Sequence, residues 1–152
     1  MILIGLGSSL SFCGRAPQDV IELALRALDA HFGLERRSGL HQFAAWPDPS
    51  DPPFVNAAAA LSPGPGPSEV LAGLHAIEAA FGRRRERKNG PRTLDLDLLA
   101  HGDSIQQGPL NLPHPGLEVR DFVLVPLAEI APDFRSPRSG LAVREMLAKV
   151  SA

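Results

Sequence analysis

Apolar runs alternate with glycine- and proline-rich breaks along the chain, and this pattern predicts a mixture of strands and helices. Residues 2–6 are a short apolar run that stops at a glycine-rich turn, as expected of a buried first strand. From Pro17 onwards apolar residues recur at helical spacing. The spacing predicts a helix that has Pro17 in its first turn and Gly33 at its C-terminal cap.

Prolines punctuate the middle of the chain. Residues 34–45 are predicted to be extended, and residues 46–53 contain four prolines, which excludes a helix or a central strand there. Residues 54–61 are a strand candidate, although their alanines leave a helix open. Ser68 is predicted to cap a second helix that continues to about Gly82.

The clearest strand pattern is at residues 93–100, where leucines alternate with Asp95 and Asp97. Residues 122–130 are apolar, and residues 143–150 are predicted to form a closing helix. Helices are interleaved with strands that suit antiparallel pairing, and no long series of parallel crossovers is present. We therefore expect an α+β sandwich, a mainly antiparallel sheet with helices packed on it.

Composition narrows the class of protein. A chain of 152 residues with 44% apolar content suits one domain, predicted to span residues 1–152. The formal charge of −2 gives no global field that would attract nucleic acid or an anionic membrane. The single cysteine, Cys13, cannot form an internal disulfide, and no apolar run is long enough to span a bilayer. These features predict a soluble, cytoplasmic protein.

The strongest chemical signal is a basic stretch followed by two carboxylates. Residues 83–92 hold six of the fifteen lysines and arginines, and Asp95 and Asp97 follow at once. On a strand these two aspartates share one face and repel each other unless a cation lies between them. Carboxylate oxygens select Mg²⁺ or Mn²⁺, and guanidinium groups bind phosphate through paired hydrogen bonds. The stretch therefore indicates phosphoryl or nucleotidyl chemistry. A solvent-exposed basic loop followed by a strand with one solvent-exposed face would give the same sequence pattern.

Two other features bear on phosphate binding. The chain contains neither the G-x-x-x-x-G-K-[ST] loop nor the complete dinucleotide-binding fingerprint, so a P-loop or Rossmann enzyme is not expected. His114 lies between two prolines, and Arg120 follows six residues later. Both side chains could reach a phosphate group, although spacing alone also fits a structural histidine.

These residues resemble the 6-hydroxymethyl-7,8-dihydropterin pyrophosphokinase (HPPK) family over nearly the whole chain. The most specific match is Gly-Pro-Arg-Thr-Leu-Asp-Leu-Asp at residues 90–97. Corroborating segments lie in the same order on either side, at residues 4–10, 54–57, 77–78, 82–85, 113–115, 120–124 and 126–132. The resemblance implies a ferredoxin-like fold that binds ATP and a pterin side by side over the sheet.

The resemblance also implies the reaction. The pterin hydroxymethyl oxygen would attack the β-phosphorus of ATP in line, giving AMP and the pterin diphosphate in folate biosynthesis. Two Mg²⁺ ions would be held by Asp95 and Asp97. The implied partners are these two small molecules, with no nucleic acid and no membrane, and the protein is expected to be a monomer.

Site residues follow from the resemblance by position. The implied catalytic residues are Arg83, Arg92, Asp95 and Asp97. The implied ATP-binding residues are Glu78, Arg85, Leu98, Leu110, Asn111, His114 and Arg120. The implied pterin-binding residues are Gly7, Phe43, Trp46, Phe54, Asn56 and Phe122. In this set Phe54 and Phe122 could equally be plain core residues.

The chain departs from the family pattern at three places, and one of them, Asn89, removes an aromatic side chain that could seal the basic loop when it closes over a bound triphosphate. Ser9 stands where Asn is usual, Asn89 stands where many members have Trp, and residues 43–46 replace a Thr-Pro-Pro-Leu-like run. Arg87 or Lys88 could supply a further cation, and spacing does not decide between them.

Two alternative functions remain open at this point. One is a non-catalytic nucleotide- or RNA-binding module that uses residues 83–92, and the other is a related kinase for a modified pterin. The aspartate pair argues against the binding module, because carboxylates weaken attraction for phosphate unless a metal ion is present.

Overall fold

One antiparallel sheet forms the centre of the protein. In the computed structural model, which describes residues 1–83 and 90–151, the sheet has five strands and helices cover both faces. The strands are β1 (Ile2–Ser8), β2 (Leu34–Arg37), β3 (His41–Phe43), β4 (Phe54–Leu61) and β5 (Asp95–His101). The helices found in the described ranges are α1 (Pro17–Phe32), α2 (Pro67–Ala80), α3 (Asp121–Ile130) and α4 (Val143–Ser151).

The strand order identifies the topology. Across the sheet the strands run β2-β4-β1-β5, with the short β3 paired to β4, and all pairs are antiparallel. Apart from β3, the chain order up to β5 is strand, helix, strand, strand, helix, strand, which is the ferredoxin-like arrangement. The predicted α+β sandwich is therefore confirmed.

Strand β4 separates two apolar layers. Its residues Ala57 and Ala59 belong to the cluster under α1 and α2, whereas Ala58 and Ala60 belong to the cluster under α3 and α4. Successive side chains of a strand point to opposite faces, so small residues on both faces allow helices to pack closely on either side. This segment is a strand, which decides the alternative that the sequence left open.

The ends of the first two helices test the capping predictions. Helix α1 starts at Pro17 and ends before Gly33, whose φ of 82° suits a residue without Cβ, so both expectations are confirmed. Helix α2 is capped by Gly66, and the Gly66 N–H donates to Glu69 Oε1 at 3.4 Å. The prediction that Ser68 is the cap is wrong, because Pro67 already occupies the first helical turn.

The remaining elements agree with the apolar pattern. The segment at residues 122–130 is helix α3, and the predicted closing helix is α4. Strand β5 begins at Asp95, two residues later than the alternation suggested. No helix in the described part of the chain combines the length and the apolar character needed to cross a bilayer.

Candidate active site

Two glycines of β1 leave the sheet bare beside the aspartate pair. In the register between β1 and β5, Gly7 lies opposite Asp95 and Gly5 lies opposite Asp97. Residues directly opposite each other in an antiparallel pair project from the same face, so both carboxylates lie over a strip without side chains. This strip forms the floor of a depression at the end of the sheet.

An aromatic pocket opens above this floor. We use that name for the depression lined by Phe43, Trp46, Phe54, Asn56 and Phe122, together with the glycine strip. The Phe43 and Phe122 rings are edge to face with centroids 6.4 Å apart. Trp46 remains 56% exposed at the side of the pocket. The arrangement suits a flat ring, which gains contact area against aromatic side chains.

Asn56 provides a polar group inside the aromatic pocket. The residue is 7% exposed, and its Nδ2 donates a long hydrogen bond of 3.4 Å to the Leu6 carbonyl. Its Oδ1 is buried and has no hydrogen-bond partner among the described residues. A buried acceptor without a partner costs about 1–3 kcal/mol. The pocket is therefore suited to a ligand that presents an N–H donor to Asn56.

A second depression, the charged cleft, adjoins the aromatic pocket along β5. Its lining includes Glu78 on α2, Arg83 just after α2 and Leu98 on β5, and the segment that follows β5 contributes Leu110, Asn111 and His114. Leu71 and His75 of α2 also line it. The charged cleft thus combines apolar side chains with basic and acidic groups. Apolar side chains suit the base of a nucleotide, and basic side chains suit its phosphate groups.

Arginines compensate the charge of Asp95. Arg83 Nη1 donates to Asp95 Oδ1 at 2.6 Å and also to Glu78 Oε2, and Arg92 Nη1 lies 3.4 Å from the same Asp95 oxygen. Glu78 Oε2 also accepts the Leu96 N–H at 2.8 Å, which satisfies a backbone donor on the edge strand β5. Burial is the main cause that raises the Glu78 pKa. Because Arg83 Nη1 donates to both carboxylates, Glu78 holds Arg83 against Asp95.

Asp97 has a different environment. Its carboxylate lies on the floor of the depression, and burial, followed by the charges of Asp95 and Glu78, raises its pKa to about 7. Two carboxylates on one face of a strand, one of them buried beside like charges, offer hard oxygen donors that fit a divalent cation such as Mg²⁺. Within residues 1–83 and 90–151 no cluster of three or more metal-ligating side chains is present. Water and a bound phosphate could supply further oxygen ligands beside Asp95 and Asp97.

His114 offers a neutral hydrogen-bond donor. The Gly116 N–H donates to His114 Nδ1 at 2.9 Å, so the proton of the neutral ring resides on Nε2. Nε2 lies 3.9 Å from Asp97 Oδ1 and faces the charged cleft. Burial, followed by the nearby charge of Arg120, lowers the His114 pKa. His114 thus contributes an N–H group near pH 7 rather than a positive charge.

Four residues line both depressions: Arg92, Asp95, Asp97 and Arg120. Arg120 precedes α3, and its guanidinium carbon lies 5.7 Å from the ring centroids of both Trp46 and Phe122. A cation over an aromatic face is attracted by the ring quadrupole. Arg120 is therefore held against the aromatic pocket while it also faces the charged cleft.

The structure brings the predicted site residues together. All six residues expected to bind the pterin line the aromatic pocket. Those expected to bind ATP line the charged cleft, except Arg85, which lies outside the described residues, as do Arg87, Lys88 and Asn89. Whether each residue has its implied role remains a prediction.

Sequence reasoning missed several neighbours of the site. Gly5 was not selected, although glycines at alternate positions of a strand indicate a bare strip on one face. Leu71 and His75 were also missed, although His75 lies one helical turn before Glu78. Ser9 was noted only as a departure from the family pattern.

An apolar pocket for a flat ring and an open charged cleft share one pair of carboxylates and two arginines. On this fold, that arrangement defines the class of two-substrate enzymes that transfer phosphate groups.

Comparison with known proteins narrows the class to a family. A family model described as 7,8-dihydro-6-hydroxymethylpterin-pyrophosphokinase (HPPK) matches residues 3–132. Two similar proteins are both named 2-amino-4-hydroxy-6-hydroxymethyldihydropteridine pyrophosphokinase. The one from Synechocystis sp. is 42% identical, covering 97% of this chain and 75% of that protein. The one from Pseudomonas aeruginosa is 39% identical, covering 97% and 90%. The chain belongs to the HPPK family.

A solved structure supports the fold independently. The crystal structure of Plasmodium falciparum HPPK-DHPS is similar, with a TM-score of 0.69 and 11% sequence identity. The match covers 97% of this chain and 43% of the Plasmodium chain. At this identity the similarity shows the fold alone.

Proposed function

We propose that the protein transfers pyrophosphate from ATP to 6-hydroxymethyl-7,8-dihydropterin, giving AMP and the pterin diphosphate, as a step of folate biosynthesis. Family membership supports this reaction. The observation that carries the proposal is that Arg92, Asp95, Asp97 and Arg120 line both the aromatic pocket and the charged cleft. The reacting groups of two substrates would meet at these shared residues.

The aromatic pocket is the proposed pterin site. Phe54 and Phe122 would contact the faces of the ring, and the unpartnered Asn56 Oδ1 would accept an N–H from its edge. A pterin has both the flat apolar faces and the polar edge that this pocket would recognise. The hydroxymethyl group would then point along the glycine strip towards Asp97.

The charged cleft is the proposed ATP site. Arg83, Arg92 and Arg120 would bind phosphate oxygens, and the His114 Nε2–H would donate a neutral hydrogen bond. The hydroxymethyl oxygen would form a bond to the β-phosphorus and lose its proton to solvent, while the bond from that phosphorus to the oxygen bridging the α- and β-phosphates breaks and AMP leaves with that oxygen. Arg83 and Arg92 would stabilise the charge that develops on the transferred group.

Asp95 and Asp97 are the proposed Mg²⁺ ligands, and we propose two ions. Bound Mg²⁺ would neutralise the triphosphate and help to align it. Arg83 and Arg92 contact Asp95, which supports the proposal that both arginines would lie beside the reacting phosphates. They would exchange this carboxylate contact for phosphate oxygens.

The decisive experiment identifies the product nucleotide. Purified protein is incubated with Mg²⁺, ATP and 6-hydroxymethyl-7,8-dihydropterin, and AMP and ADP are quantified. We expect AMP, and we expect Asp97→Asn to abolish its formation without unfolding the protein. Asp133→Asn is the matched control, because the Asp133 side chain is 85% exposed and pairs with Arg144 away from the site. ADP as the product, or normal turnover of Asp97→Asn, would contradict the proposal.

Three further attributes belong to the same proposal: one domain that spans residues 1–152, a monomeric state, and a cytoplasmic location. Domain organisation is tested by asking whether unfolding is a single cooperative transition, and oligomeric state is tested by sedimentation. Cell fractionation tests the location.

A further inference from the structure

We infer that Ser9 is a positioning residue, whose hydroxyl group fixes the backbone of Arg92 and thereby orients the Arg92 guanidinium in the active site. This inference rests on the proposed function. It assigns a role to a residue that lines neither the aromatic pocket nor the charged cleft.

Three hydrogen bonds join Arg92 to the turn after β1. The Ser9 and Leu10 N–H groups both donate to the Arg92 carbonyl oxygen, at 3.0 and 3.1 Å. In the opposite direction, the Arg92 N–H donates to Ser9 Oγ at 3.1 Å. Ser9 is 6% exposed, so this contact is largely shielded from water. Both main-chain polar groups of Arg92 are thus bonded to the Ser9–Leu10 turn.

The Ser9–Leu10 turn, called the anchor below because it holds the Arg92 backbone, is attached to a rigid part of the fold. Ser9 follows directly after β1, which pairs with β4 on one side and β5 on the other, and Ser8 at the end of β1 is fully buried. A residue at the end of a central strand has little freedom to move. The hydrogen bonds to Ser9 therefore fix the Arg92 backbone relative to the sheet.

The Arg92 side chain extends from this fixed backbone into the site. Its Nε donates to the Gly90 carbonyl at 3.2 Å, and its Nη1 lies 3.4 Å from Asp95 Oδ1. The side chain is only 14% exposed and lines both depressions. A misplacement of about 1 Å in a catalytic site can cost about 100-fold in rate, so a shift of the backbone would reduce transition-state stabilisation.

The hydroxyl group can be tested separately from the rest of the anchor. In Ser9→Ala the two backbone donors to the Arg92 carbonyl remain, and only the acceptor for the Arg92 N–H is lost. Ser38 provides a matched control, because it is 2% exposed and its Oγ accepts the Ala58 N–H at 2.8 Å. Ser38 lies just beyond β2 and does not line either depression.

The first readout is kinetic. We expect Ser9→Ala to lower kcat about tenfold with KM for both substrates within about twofold of wild type. Ser38→Ala should lose comparable thermal stability but keep the wild-type kcat. In an Arg92→Ala background, Ser9→Ala should cause no further fall in kcat, because the residue through which it acts is gone. An unchanged kcat in Ser9→Ala, or an equal fall in both backgrounds, would overturn the inference.

The second readout does not require turnover. Hydrogen exchange of the Arg92 amide, followed by NMR, should be faster in Ser9→Ala than in wild type and unchanged in Ser38→Ala. Equal protection of this amide in all three proteins would contradict the proposal that the Ser9 hydroxyl group holds the Arg92 backbone. A wild-type protein that forms no AMP would refute the proposed function and the catalytic role of Ser9, while the amide measurement would still decide the contact itself.

Discussion

Asp95 and Asp97 lie two positions apart on β5 but differ in how closely positively charged side chains approach their carboxylates. Asp95 contacts Arg83 and Arg92, whereas Asp97 Oδ1 lies 3.9 Å from His114 Nε2, and the charges of Arg83 and Arg120 offset the effect of burial on Asp97 only in part. Burial and like charges hold the Asp97 pKa at about 7. Of the two carboxylates, Asp97 is the one whose ionised form is disfavoured by its surroundings.

Trp46 should report ligand binding in the aromatic pocket. It is the single tryptophan of the chain, is 56% exposed, and lines the pocket. A ring bound beside the indole would displace water, so tryptophan emission should shift to shorter wavelength on titration with the pterin. Fluorescence titration measures this, and Trp46→Phe should abolish the signal. An unchanged spectrum at a pterin concentration that calorimetry shows to be saturating would contradict the proposed pterin site.

The candidate site was predictable only in part from residues alone. The alternation on β5 was enough to place Asp95 and Asp97 on one face, because strand periodicity is local. The aromatic pocket draws on β1, β3, β4 and α3, and no local pattern brings these elements together. The resemblance to a family supplied those residues. It did not reveal the contact of Ser9 with Arg92, which depends on how the turn after β1 meets the start of β5.

At the scale of elements, Gly73 of α2 packs against the end of α1. A Cβ at this position would lie 2.3 Å from Phe32 Cζ and 3.0 Å from His31 Nε2. Helix propensity alone would make Gly73→Ala stabilising by about 1 kcal/mol, but overpacking costs about 1–3 kcal/mol. We expect a net destabilisation of about 1 kcal/mol by urea unfolding. A gain in stability would show that the aromatic ring moves aside freely.

Ser68→Ala tests the revised cap of the same helix. Loss of a true serine N-cap costs about 1 kcal/mol. Because Gly66 is the cap and Ser68 is exposed inside the helix, the substitution should change the free energy of unfolding by less than about 0.5 kcal/mol. Urea unfolding decides between these values, and a loss near 1 kcal/mol would contradict this cap assignment.

An ion pair that joins α1 to β2 should make stability depend on pH. Arg37 donates to both Glu22 carboxylate oxygens, at 2.6 and 2.9 Å, and this contact lowers the Glu22 pKa. A lowered folded-state pKa means that the contribution is present above the ordinary value of 4.5 and is lost as the pH falls through the folded-state pKa. Glu22→Gln should therefore be less stable than wild type at pH 7, by less than about 1 kcal/mol because the pair is exposed.

The measurement compares urea unfolding of wild type and Glu22→Gln at several pH values. The difference should shrink as the pH is lowered from 5 to 3. A difference that stays constant over this range would show that the carboxylate charge is not its source.

Local signals were sufficient for some elements and not for others. Helix α1 combined apolar periodicity with Pro17 and Gly33 as end signals, and its bounds were predicted correctly. The alanines of β4 left both a strand and a helix open, because alanine has no strong preference for a strand. Pairing with β1 and β2 fixes this segment as a strand. Tertiary pairing, rather than propensity, determined that element.

At the scale of the whole molecule, the fold should not depend on bound metal. Arg83 and Arg92 contact Asp95, and within residues 1–83 and 90–151 no cluster of three or more metal-ligating side chains ties elements of the fold together. Adding a chelator should therefore change the melting temperature by less than about 2 °C while it abolishes AMP formation. Calorimetry and the product assay on the same sample measure both effects. A fall of several degrees would indicate a structural metal site.

The position of Arg120 has a thermodynamic consequence for how the two substrates bind. One guanidinium group borders both depressions, so in the proposed two-substrate site a ligand that fixes it on one side would lower the ordering cost for the ligand on the other side. Linkage then requires reciprocity: the factor by which nucleotide tightens the pterin equals the factor by which pterin tightens the nucleotide.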